Sequence, residues 1–179
     1  MKLAADRPVL YLEEEVVNES SFAVPFLWGH HPAFGPPLVA EGSEIDLPAG
    51  KIVTDANLDG DSVDLVLGSE HTWPWATTRD GAPVNLAIIP PAPLQRLFYV
   101  AELKESWCAL RNPQRQLGVG MAWDGEMFPH LWVWEERGGD QRMPFYGRGE
   151  LVALEPATQF PACLYAASFD SRRARPHCQ

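Results

Sequence analysis

Along this chain apolar residues come in short bursts, each cut off by Gly, Pro or a polar cluster, a pattern that predicts many short strands and few helices. Residues 9–18 carry β-branched and aromatic side chains at both ends and stop at Glu19-Ser20-Ser21, as a strand entering a turn does. Residues 23–28 form a second apolar run, Gly29 marks a bend or a close approach of another backbone, and the run ends at His30-His31. From 35 to 78 the chain is rich in Gly, Pro and Asp, with brief apolar pieces such as 52–53 and 63–67, so long connections with short strands are expected. A turn at Asp80-Gly81 precedes a strand expected over 84–89, which ends at Pro90-Pro91. Residues 106–111 and 117–123 flank the polar stretch 112–116 as the two strands of a hairpin. Residues 130–135 and 150–155 continue the meander.

Composition adds exclusions. Seventeen prolines and 14 glycines cut the chain into pieces too short for most helices. The 179 residues suit one domain, placed at 1–170, with 171–179 a frayed tail in which Arg172, Arg173 and Arg175 have no hydrophobic face beside them. A net charge of -10 repels phosphate backbones and anionic membrane surfaces, so nucleic acid and membrane are not expected partners, whereas a neutral sugar is indifferent to that sign. Cys108, Cys163 and Cys178 are odd in number and widely spaced, which suits reduced thiols better than a disulfide or metal framework. Neither a signal segment nor a run of roughly 20 apolar residues is found, and the chain reads as cytoplasmic.

Three groups of residues could carry chemistry. Trp28-Gly29-His30-His31-Pro32-Ala33-Phe34 places two imidazoles and two aromatic rings in a loop after a strand. Adjacent histidines on extended chain point to opposite faces, so one at most enters a given cavity, and both could equally be structural. No other His or Cys stands at a ligand spacing, so no metal is expected. In Leu154-Glu155-Pro156 a carboxylate ends an apolar strand. Burial would raise its pKa and make it a base near neutrality, while an edge-strand glutamate in water is the plainer alternative. Trp73, Trp75, Trp107, Trp123, Trp132, Trp134 and Tyr146 could cover the C–H face of a sugar or simply fill the core.

These motifs resemble the aldose 1-epimerase, or galactose mutarotase-like, family. The resemblance rests on Asn18 and the strand into Trp28-Gly29-His30-His31-Pro32-Ala33-Phe34, on Phe128-Pro129-His130-Leu131-Trp132-Val133-Trp134-Glu135, and on Leu154-Glu155-Pro156-Ala157-Thr158-Gln159-Phe160-Pro161. It implies an all-β, galactose-mutarotase-like β-sandwich of the supersandwich type, with His31 as general acid and Glu155 as general base. Trp28, Phe34, Trp132 and Trp134 would lie against a small-molecule sugar, whose α and β anomers the pair would interconvert by ring opening. No cofactor is implied. Two departures stand out: the chain matches the later part of the family's usual length, without the arginine and second histidine that the earlier part supplies, and Pro156 directly follows the base. A carbohydrate-binding or regulatory module without turnover is the alternative function. A third reading is a half-domain that associates through exposed sheet edges as a homo-oligomer. Arg96, Arg111, Arg142 and Arg148 suit a phosphate site and scattered surface charges equally well.

Overall fold

The structure, a computed structural model, describes residues 1–48 and 50–160. The tail expected at 171–179, the domain end at 170, Cys163 and Cys178 lie outside them. The described residues form an all-β protein of thirteen strands with no helix, and hence no helix long and apolar enough to cross a membrane. In chain order the strands are β1 (Lys2–Leu3), β2 (Leu10–Tyr11), β3 (Ala33–Phe34), β4 (Glu44–Asp46), β5 (Lys51–Thr54), β6 (Glu70–Thr72) and β7 (Trp75–Thr77), then β8 (Pro83–Asn85), β9 (Leu94–Ala101), β10 (Trp107–Asn112), β11 (Leu117–Ala122), β12 (His130–Arg137) and β13 (Glu150–Ala157).

Six strands make the main antiparallel sheet, in the order β3-β13-β12-β9-β5-β6, and three make a second, β11-β10-β4. The hairpin expected around 112–116 is present, with Trp107 opposite Ala122 and Asn112 opposite Leu117. Period-two alternation gives each large strand an apolar face. Leu131 and Val133 of β12, Phe98 and Val100 of β9, Val152 and Leu154 of β13 and Ile52 of β5 are buried in one cluster with Ile45, Cys108 and Leu110 of the small sheet. The two sheets therefore share a core in sandwich fashion. Burial pushes the Cys108 thiol up to about 12, so it stays protonated and unreactive at neutral pH.

Several local expectations need correction. The strand expected over 9–18 is realised only at Leu10–Tyr11, which pairs with Lys2–Leu3. Residues 12–27 run on exposed, outside every sheet, with Leu12, Val16, Val17, Phe22, Val24, Phe26 and Leu27 half or more open to solvent, Val24 slightly less. Their sequence favours a strand, but β structure requires a partner edge, and these residues meet none among the described residues. The strand expected over 84–89 stops at Asn85, whose side-chain oxygen accepts the Ala87 N–H at 2.9 Å and turns the chain. Residues 63–67 supply isolated bridges at Val63 and Leu65 rather than a strand.

At one end of the core the main sheet buries charge. Arg96 on β9 and Glu135 on β12 are directly opposite and both face inward, at 1% and 0% exposure. Arg96 is thus no surface charge: its Nε donates to Asp64 Oδ1 at 2.8 Å, and Nη2 donates to Oδ2. Glu135 fares worse, because its nearest cation, Arg96 Nη1, is 4.0 Å away and neither carboxylate oxygen accepts a hydrogen bond from a described residue. Burial raises its pKa from 4.5 to about 7, with Arg96 pulling the other way. Between those values the folded chain holds a proton that the unfolded chain releases, so this group's contribution to stability is present below 4.5 and lost as pH rises through 7. Urea unfolding at pH 5 and pH 8 should show the wild type losing more stability between them than Glu135→Gln does. Equal losses would mean that Glu135 is charged throughout.

Candidate functional site

The site is built where residues 27–34 run antiparallel beside β13. Gly29 bridges Ala157, the His30 N–H donates to Pro156 O at 3.0 Å, the Leu154 N–H donates to Pro32 O at 3.1 Å, and Ala33 pairs with Ala153. The register at both ends sets His31 directly opposite Glu155, on the face of the main sheet turned away from the core. The two side chains meet there: His31 Nδ1 is 2.7 Å from Glu155 Oε1. The carboxylate is mostly buried, at 16% exposure, while the imidazole is 56% exposed. Burial raises the Glu155 pKa and the adjacent His31 opposes that rise, with burial the larger effect.

Aromatic rings hold this pair. Trp134 stacks on the His31 ring at 5.8 Å and 16°, and Phe145 braces Trp134 edge-on at 5.5 Å. Trp132 stands opposite Glu155 on the next strand and opposite Tyr99 on the one beyond. Its indole is fixed at two points: the Tyr99 ring packs edge-on at 5.1 Å, and Nε1–H donates to Gln159 O at 2.9 Å. Tyr99 in turn donates its hydroxyl to Asp55 Oδ2. Burial and that bond raise the Tyr99 pKa, which keeps it neutral.

A cleft of about 180 Å³ opens over this face, bordered by Leu27, Trp28, Gly29, His30, His31, Trp132, Glu155, Ala157, Thr158 and Gln159. The expected residues therefore separate. His31, Glu155 and Trp132 border one cleft. Trp28 borders it too, yet its ring packs edge-on against Phe128 at 5.4 Å and beside Phe26 and His30. Trp134 is not on the cleft wall and acts on the site through His31. Phe34 requires a correction: it stands opposite the buried Val152 and packs against the core rather than on the cleft side, because three residues along extended chain reverse the face. The two histidine rings part as adjacent extended residues do, His31 to Trp134 and His30 to Phe128 at 5.2 Å, although both residues border the cleft.

Sequence reasoning missed Tyr99, Asp55 and Gln159. The signal for Tyr99 was the β-forming run Leu97-Phe98-Tyr99-Val100; Asp55 and Gln159 had none, since their roles come from distant partners. Arg111 pairs with Glu44 and Asp46, and Arg142 with Asp59 and Asp140, so neither reaches the cleft. A larger open depression, about 570 Å³, lies at the β5–β6 edge among Lys51, Glu70, His71, Glu102 and Lys104. Its Lys51 and Glu70 neutralise each other at 2.8 Å, and no Trp, Tyr or Phe lines it among the described residues. Comparison of the chain with protein-family models, with curated proteins and with solved structures found no match.

Proposed function

We propose that this chain is an aldose 1-epimerase-like enzyme of galactose-mutarotase-like, supersandwich fold, interconverting the α and β anomers of a free aldose. The observation that carries this reading is the His31–Glu155 contact at 2.7 Å on the wall of a ring-sized cleft. Beyond that contact the pair has two further atoms, His31 Nε2 and the second carboxylate oxygen of Glu155, and these serve as acid and base on one substrate. Glu155 takes the proton of the C1 hydroxyl while imidazolium Nε2–H protonates the ring oxygen. The C1–O5 bond breaks, C1=O forms, and the open aldehyde results with no net gain or loss of protons. Rotation about C1–C2 and the reverse transfers close the ring on the other face. Trp132 covers an apolar face of the sugar, as indoles do. The chemistry calls on these two side chains alone.

Magnetisation-exchange NMR of glucose and galactose tests this. The expected result is α/β exchange faster than the buffer rate, in proportion to protein concentration. Binding without faster exchange would favour a carbohydrate-binding module, and neither would remove the sugar from the reading.

A further inference from the structure

The cleft has a shape that one glycine accounts for. Along the cleft-facing side of residues 27–31 stand Leu27, Gly29 and His31, and along β13 stand Glu155 and Ala157. Large side chains thus surround one hollow, and its floor is the pair of small residues Gly29 and Ala157, which bridge each other. Nothing in the backbone demands glycine at 29. It is absent from the residues with left-handed φ, and it occupies an extended, bridged position. A Cβ there would meet Pro156 O at 3.6 Å and the Ala157 Cβ at 3.7 Å, ordinary van der Waals contacts. Neither the bend nor the close backbone approach expected from the sequence is the reason for this residue. Gln159 also borders the cleft, and its amide oxygen is buried with no hydrogen-bond partner among the described residues.

We propose that Gly29 is a specificity-determining residue: with Ala157 it leaves the space that seats a single unsubstituted pyranose ring beside His31 and Glu155. The cleft's 180 Å³ falls below the roughly 300 Å³ at which pockets for drug-sized ligands begin, which suits one ring and no more. The inference rests on the proposed carbohydrate site but needs binding rather than turnover. A glycine retained for space, not for backbone freedom, has an unusual signature. Gly29→Ala removes conformational entropy from the unfolded chain and fills the cleft at once, so stability rises while affinity falls.

The experiment compares wild type with Gly29→Ala and Gly29→Val. It reads the KM and kcat of glucose and galactose exchange, the sugar affinity by quenching of tryptophan fluorescence at Trp132, and the melting temperature. Gly29→Ala should melt about 2–4 °C higher. Its KM and dissociation constant should rise about tenfold, and those of Gly29→Val on the order of a hundredfold, with kcat within about threefold of wild type. Unchanged KM and affinity in Gly29→Ala overturn the inference while leaving an active wild type's function intact. A fall in melting temperature beside the loss of affinity also overturns it, since Gly29 would then serve the fold. A wild type that binds sugar without exchanging anomers removes the enzymatic reading, and the inference is decided by the dissociation constants. A wild type that does neither overturns both.

Discussion

Glu155→Gln should slow anomer exchange by about 10²- to 10⁴-fold while leaving the fold in place. The substitution keeps the shape of a side chain that is largely buried at 2.7 Å from His31. An amide still hydrogen-bonds to the imidazole, so the contact survives, but it accepts no proton from a C1 hydroxyl. The loss should therefore fall on kcat, and sugar affinity measured by tryptophan fluorescence should change little. The raised pKa of Glu155 gives a second handle: the acid limb of the wild-type rate profile should lie above the ordinary glutamate value of about 4.3, since the base works only when ionised. Exchange by Glu155→Gln at the wild-type rate would remove this carboxylate from the chemistry.

Arg96→Ala should cost about 3–5 kcal/mol of stability, the range seen when one partner of a buried ion pair is deleted. Its guanidinium is the bidentate partner of Asp64 and the nearest described cation to Glu135, and it is 1% exposed near the start of β9. Without it, the buried Glu135 and the partly exposed Asp64 both lose their cation. Glu135→Gln should by contrast be nearly neutral or stabilising near pH 8. The carboxylate that it replaces makes no hydrogen bond with the described residues, so charge is removed at no cost in pairing. Urea titrations of both variants check the contrast. Equal losses in the two would show the cluster acting as one tightly bonded unit.

The sequence was most legible where local chemistry and pairing agree. Asn112-Pro113 between two β-forming runs announces the β10–β11 hairpin, because both strands and the turn lie in one short window. The central strand β9 was missed: Gln95 and Arg96 interrupt its apolar run directly after Pro90, Pro91 and Pro93, and Arg96 belongs inside only because Asp64 awaits it there. Residues 12–17 show the opposite error, a strand-like pattern that meets no partner edge among the described residues. His31 and Glu155 were nominated through a family resemblance, but their contact depends on a register between distant segments that no local pattern encodes. Period two also explains the error at Phe34: an odd separation from His31 turns it to the core.

Strand β12 has both neighbours hydrogen-bonded along most of its length, and its alternate residues answer to different demands. Val133 and Leu131 fill the core, while Trp132 and Trp134 furnish the cleft wall and the support for His31. Loss or gain of one codon within it would carry both indoles inward and expose the aliphatic residues, so core and site would fail together. Changes of length are tolerable instead in exposed turns such as 80–82 and 113–116, which lie outside the ladders. For lineages of this protein, drift in length should collect there, with β12 held to a fixed number of residues by two independent requirements.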